Sequence, residues 1–188
     1  MTKIKGSLLL EVARLIRASK DKDWKKHLND KDLEIINSRV LASSWYPLDT
    51  YERASIAVFH EIAGGSNEAA KGWGRFVMED VIKKFYPNMV RENDMMIALE
   101  KFKIARLQWF QFDDPQFKAM EIEPLGNNQA KIIIRSDHPV PFEAFTYQLM
   151  GSYERLIELC GRTKVKSEIK ERDWKATQPY SVLVFSWE

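Results

Sequence analysis

Three histidines, one cysteine and the carboxylate pairs Asp113-Asp114 and Glu121/Glu123 are residues of this chain whose types suit catalysis or metal binding. His60-Glu61 lacks the second histidine four residues on that a zinc-protease helix needs, so His27, His60 and His138 define no metal site by spacing. Cys160 stands alone, which excludes an internal disulfide and a cysteine-rich zinc site. Placed just before Gly161 in an apolar helical pattern, it reads as a small buried hydrophobe rather than a nucleophile. No Gly-x-Ser-x-Gly elbow is present. Glu121 and Glu123 share one face of a strand-like run and read as its solvated side, while Asp113-Asp114-Pro115 reads as a turn. Neither pair has an evident partner, so no general acid or base is assigned. Gly64-Gly65-Ser66 before Asn67 is the nearest approach to a phosphate cradle, but without a P-loop lysine it reads as a helix stop followed by a helix start. No catalytic residue, metal or cofactor is expected, and a non-enzymatic role follows.

The aromatic residues carry more information. Trp45, Tyr46, Trp73, Phe76 and Trp109, with Met96 in the same helical half, supply large rings and a flexible thioether. Such side chains suit an ordinary core, and they also suit the lining of an apolar cavity for a small hydrophobic ligand. They are not interleaved with a basic stripe, which argues against stacking on nucleic acid.

Charge points the same way: 29 basic against 27 acidic residues leave a formal charge of +2, far from that of a strongly basic nucleic-acid binder. With 45% hydrophobic and 12% aromatic residues in 188, the chain can build a packed core, and one domain is the default. The Leu8–Leu10 run is too short for a signal-peptide core and is interrupted by Glu11 and Arg14. No stretch reaches the ~20 apolar residues of a membrane span. A cytoplasmic protein is the expectation.

Helices fill the first two thirds. Leu8, Leu9, Val12, Ala13, Leu15 and Ile16 have helical spacing within residues 4–19. A short helix is weakly signalled at 23–28, and Asn29 or Asp30 suits the cap of the next. Asp49 and Glu52 have the spacing of a capping box, with Pro47 setting the approach of the chain. That helix should stop at Gly64-Gly65. Ser66 starts another, in which Gly72 and Gly74 flank Trp73 and suggest close packing or a local break. Asn93-Asp94 opens a helix apolar around most of its circumference, which predicts a buried one. From Pro115 on, residues 117–125 and 130–135 read as strands around a Gly126-Asn127-Asn128 turn, 141–160 as a helix, and 164–172 and 180–187 as strands. The fold class is therefore α+β: a helical part, 1–112, packed on a four-stranded antiparallel sheet built by a β-β-α-β-β part, 113–188.

Ser44-Trp45-Tyr46-Pro47, the helix after it, the Lys5-Gly6 segment, the helix 142–161 and the closing strand to Trp187 resemble a family of uncharacterised paralogous domains abundant in myxobacteria and related bacteria. That family resembles, more remotely, the vinyl-reductase-like and haem-nitric-oxide-binding superfamily. The resemblance implies helices on an antiparallel sheet and a sensory role toward small or apolar ligands. Residues 173–180 lack the cysteines that many relatives carry there, so zinc binding is not implied. Haem binding in the nitric-oxide sensors goes with a helical proximal histidine and a Tyr-x-Ser-x-Arg pattern. Tyr153-Glu154-Arg155 does not match it, so haem is not expected.

The sequence thus predicts a non-enzymatic small-molecule-binding or sensory domain with an apolar pocket between helices and sheet. The alternative is a homodimeric protein-interaction module using Trp45, Tyr46 or the 180–187 strand as a sheet edge, and an enzyme ranks third.

Overall fold

A computed structural model describes residues 2–91, 94–126 and 128–188, and the chain divides into two compact units. Residues 1–66 and 106–116 belong to the first, residues 67–105 and 117–188 to the second. Asn93 and Asn127, both given roles in the sequence reading, lie outside the described residues.

The first unit begins with β1 (Lys3–Lys5), which runs directly into α1 (Gly6–Ala18). A single 3-10 turn at Trp24–Lys26, α2 (Asp30–Asn37), β2 (Trp45–Pro47) and α3 (Leu48–Glu61) follow. Leu9, Val12, Ala13 and Ile16 of α1, the face expected from their spacing, form a core with Leu28, Ile36, Val40, Ala54 and Ala57. In α2, Asn29 Oδ1 accepts from the Asp32 amide at 2.9 Å and Asp32 Oδ2 accepts from the Asn29 amide at 3.3 Å, a complete capping box.

The box expected at Asp49 and Glu52 does not form. Helix α3 starts at Leu48 with Pro47 in the cap position, so Asp49 already lies in the first turn and its Oδ1 accepts only from Thr50 N, at 2.9 Å. The sheet sets the start: β2 pairs with β1, and Leu48 N donates to Thr2 O at 3.1 Å. Gly64 and Gly65 end the helical segment with φ of 62° and 70°, as their type allows. β1 lies between β2 and β3 (Phe110–Gln111), both antiparallel to it. This small sheet was not foreseen, because strands of two or three residues carry no period.

The second unit contains α4 (Asn67–Phe85), most of α5 (Met95–Leu107), β4 (Met120–Gly126), β5 (Gln129–Arg135), α6 (Phe142–Leu159), β6 (Lys166–Asp173) and β7 (Tyr180–Ser186). Its four strands form the expected antiparallel sheet, in the order β4-β5-β7-β6. β7 is therefore internal and presents no edge, contrary to the expectation that 180–187 serves as one. Its alternation fits: Ser181, Leu183 and Phe185 are buried on one face. The true edges are poor templates for strand addition, since β4 carries Pro124 and β6 carries four charges in Lys166–Glu171 plus a register shift between Ile169 and Glu171. Over the sheet, Tyr153 of α6 packs edge-on to Phe102 of α5 at 5.5 Å and against Phe185 of β7 at 5.8 Å, all three buried.

Helices α4 and α6 cross at van der Waals closeness. A Cβ on Gly74 would fall 1.8 Å from Gln148 O, and one on Gly151 would fall 1.9 Å from Lys71 O. Ser152 Oγ bridges the crossing to Gly74 O at 3.1 Å. Gly72, by contrast, faces open space. Ion pairs flank the crossing: Glu154 with Lys71 and Arg75, Glu158 with Arg75 and Arg155, and Glu79 with Arg155.

Asp94 does cap α5, accepting from the Met96 and Ile97 amides. The helix is not buried all round, however, because Ile97 and Ile104 are 44% and 56% exposed. Those two positions lie seven residues apart on one face, and Lys101 between them is exposed too. Among the described residues, no helix is long and apolar enough to cross a membrane.

Candidate functional site

The six residues singled out for a pocket fall into the two units. Trp45, Tyr46 and Trp109 belong to the first, and Trp73, Phe76 and Met96 to the second. β1 organises the first set. Lys5 pairs with Trp45 across the β1–β2 ladder, donates its amide to Trp109 O at 2.9 Å and sets Nζ 4.3 Å above the Trp45 ring. The same ammonium donates to Ser43 O, and the Tyr46 hydroxyl accepts from Leu41 N at 2.9 Å, which fixes the bend that leads into β2. Gly6 is obligatory beneath it, since a Cβ there would lie 2.1 Å from Leu41 O and 2.7 Å from the Tyr46 ring. The Trp45-Tyr46 pair is thus held on three sides, with Trp45 39% exposed.

In the second unit Trp73 and Phe76 stack on α4, with ring centroids 5.5 Å apart and planes at 30°. Phe76 is 63% exposed, so this pair faces outward in part. Met96 is half-buried in the first turn of α5.

Polar residues that the sequence reading passed over cluster near α3. Burial pushes the Tyr51 phenol up, against the opposing charge of Arg106. Ser55, one turn further, bears on the same phenol, yet its buried hydroxyl is beyond hydrogen-bond geometry from every described residue. The i, i+4 spacing of Tyr51 and Ser55 was legible; the approach of Arg106, 51 positions beyond Ser55, was not.

The carboxylate pairs are structural. Glu121 pairs with Arg135 and Glu123 with Lys131 across β4 and β5, and Asp114 accepts from Gln116 N within its turn. Cys160 is half-buried rather than buried, its thiol 3.9 Å from Met89 O. Among the described residues, no three His, Cys, Asp or Glu side chains are placed to hold a metal ion.

Solved structures resemble this arrangement along almost the whole chain. The fold is that of the H-NOX domains. A structure from work on haem distortion in the H-NOX family aligns with a TM-score of 0.67 at 13% identity, covering 98% of this chain and 95% of that one. A variant of the T. tengcongensis H-NOX aligns at 0.66 and 14%, covering 98% of each chain. An unliganded Fe(II) H-NOX variant from K. algicida aligns at 0.65 and 10%, covering 98% of this chain and 97% of that one. No protein-family model and no curated protein sequence matches. At such identities the H-NOX likeness is one of fold, and it agrees with the helices on an antiparallel sheet that the resemblance to the haem-nitric-oxide-binding superfamily implied.

Haem with an axial histidine does not fit the residues present. α5 carries no histidine along Met95–Leu107. His60 lies exposed in the last turn of α3, His27 is bonded to Glu61 at 2.9 Å, and His138 to Asp137 at 2.6 Å in a loop. None is a buried helical imidazole with a free nitrogen for iron.

Proposed function

We propose that this chain is a non-enzymatic, small-molecule-binding sensory domain that uses the H-NOX scaffold without histidine-ligated haem. The observation that carries the reading is the end-to-end coincidence of fold with H-NOX proteins, one of them an oxygen complex related to soluble guanylate cyclases, combined with the placement of His27, His60 and His138, none of which is a buried helical imidazole. The buried Ser55 hydroxyl beside Tyr51, outside hydrogen-bond geometry of every described residue, is consistent with that reading, because buried polar groups normally have a partner. The ligand is small and largely apolar, in keeping with Trp45, Tyr46 and Trp109 in the same unit. Cytoplasmic residence in a bacterium and the finer kinship with the myxobacterial Ser44–Pro47 family and the vinyl-reductase-like domains belong to the same proposal.

The test is native mass spectrometry of protein purified without haem supplementation, followed by titration with haem and with a panel of apolar ligands read by tryptophan fluorescence. A small molecule retained or bound, and no Soret band after added haem is removed by gel filtration, is the expected result. Stoichiometric haem with a histidine-iron signature, or no binding of any class, overturns it.

One observation favours a second reading, a homodimeric interaction module: Phe76, Ile97 and Ile104 are 63%, 44% and 56% exposed within the second unit.

A further inference from the structure

The four-stranded sheet has one covered face and one open face. α6 lies on the covered one, where Tyr153 packs against Phe185 and the Thr146 and Ser181 hydroxyls are bonded at 2.9 Å. The open face carries the alternate residues of each strand, and none of them is buried. Across it Ile133 of β5 is in register with Val182 of β7, Lys131 with Val184 and Arg135 with Tyr180. Ile133, Val182, Val184 and the Tyr180 ring therefore make a partly exposed apolar strip along the middle of the sheet.

Charge is divided across that strip. On its β5 side stand Lys131 and Arg135, each ion-paired at 2.6 Å to a β4 carboxylate, Glu123 and Glu121 respectively. On its β6 side Glu168 is in register with Val184, Glu171 with Val182 and Asp173 with Tyr180. Lys166 stands opposite Ser186 on the same side, and Lys170, at the register shift, pairs with Glu168. Arg172 is in register with the buried Ser181 and lies over the Trp174 ring at 4.3 Å. Glu171 accepts from the Tyr180 hydroxyl, and Asp173 from the Lys175 and Ala176 amides, all neutral donors. The β6 side is therefore acidic toward its Asp173 end, while β5 presents two cations.

We propose that this open face is a weak homodimer surface, on which a second copy of the chain stacks sheet on sheet about a two-fold axis running along β7. Stacked sheets lie about 10 Å apart and cross at about 30°, a gap that valine and isoleucine fill and that lysine, arginine and glutamate span. The axis along β7 sets β7 over β7 and β5 of each copy over β6 of the other. Lys131 then faces Glu168 of the second copy and Arg135 faces its Asp173, with its Glu171 between the two cations. Symmetry makes each contact twice. An axis at right angles to the strands would instead lay β6 on β6, acid against acid. The apolar strip supplies adhesion and the charges choose the orientation. Three strands of seven residues cover only about 14 by 20 Å, less than the ~800 Å² per partner of a stable complex, so the dimer is weak and sensitive to salt. The inference is independent of the ligand-binding reading.

The experiment is sedimentation equilibrium of the whole chain over a concentration series, at about 0.05 and 0.5 M salt. A dimer is expected at the lower salt, weakened about tenfold at the higher. Val184→Arg, on the axis, should give a monomer with an unchanged circular dichroism spectrum. Glu168→Lys with Glu171→Lys makes both sides of the strip basic, and Lys131→Glu with Arg135→Glu makes both acidic. Each double variant alone should associate at least about tenfold more weakly than the wild type. Their equimolar mixture should dimerise again, because each brings the sign that the other lacks. A wild-type protein that is monomeric at every concentration and both salts overturns the proposal. So does a dimer that survives in Val184→Arg, or two folded double variants that fail to associate when mixed. A dimer lost in Phe76→Ser but kept in Val184→Arg belongs to the other apolar patch and overturns it as well.

Discussion

Gly74 and Gly151 each stand where a carbonyl of the opposite helix leaves no room for a Cβ: Gln148 O against Gly74 and Lys71 O against Gly151. Alanine at either position must push two backbones apart. The helical gain of about 1 kcal/mol from replacing glycine is outweighed by the strain of overpacking against immovable atoms. Gly74→Ala and Gly151→Ala should each lower the unfolding free energy by about 2 kcal/mol in urea titrations, whereas Gly72→Ala, facing open space, should raise it by about 0.5 to 1 kcal/mol.

Arg53 grips Asp32 with two nitrogens, at 2.7 and 2.8 Å, and Asp32 is fully buried. Burial alone would raise the Asp32 carboxyl. Hydrogen bonds from Arg53, Thr50 and the Asn29 amide, with the Arg53 charge, outweigh it and hold the group below its ordinary value. A carboxyl lowered in the folded state adds stability that is present above its unfolded value and lost as pH falls through its folded one. The wild-type protein should therefore lose stability below about pH 4 in part through Asp32. Arg53→Met should cost about 2 kcal/mol at neutral pH, the low side for a broken buried pair because Arg53 is partly exposed. It should also reverse the Asp32 contribution, so that acidification relieves part of the loss. Thermal melts at pH 4 and pH 7 check both signs.

Tyr46→Phe removes the acceptor for the Leu41 amide while keeping the ring beneath which Gly6 fits. A loss of about 1 kcal/mol or less is expected in equilibrium unfolding. If Tyr46 also contacts the ligand through its hydroxyl, affinity measured by tryptophan quenching drops as well.

Phe76→Ser separates the two functional readings. With its ring 63% exposed, the substitution should change stability by no more than about 0.5 kcal/mol, and light scattering should give the same molar mass for both proteins. A dimer in the wild type that becomes a monomer in Phe76→Ser would favour the interaction module.

Much of the architecture was legible because long elements repeat their signal. The β-β-α-β-β ending, the α1 core face and the Gly64-Gly65 stop all follow from period or from glycine at positive φ. Short-range chemistry was read less well. Asp49 and Glu52 have capping-box spacing, but the pairing of β1 with β2 starts α3 two residues earlier, with Pro47 in the cap position, and the box stands at Asn29 and Asp32 instead. The apolar content of α5 predicted full burial, yet Ile97 and Ile104 lie on the face away from Phe102. The proximity of His27 to His60 and Glu61, and of Tyr51 to Arg106, depends on tertiary approach that no local pattern encodes.

The internal position of β7 bears on how the chain reaches its native state. β5 and β6 touch only through β7, and the β5–β7 register joins Gln129 to Ser186. The first hairpin and the β6–β7 hairpin are local and can close early, but the sheet becomes continuous only when this distant pairing forms. Contacts so separated along the chain slow folding. Until then β5 has an unpaired backbone edge, and Ala130, Ile132 and Ile134 line one face of a two-stranded hairpin, which makes that hairpin, rather than the finished sheet, the point most open to aggregation.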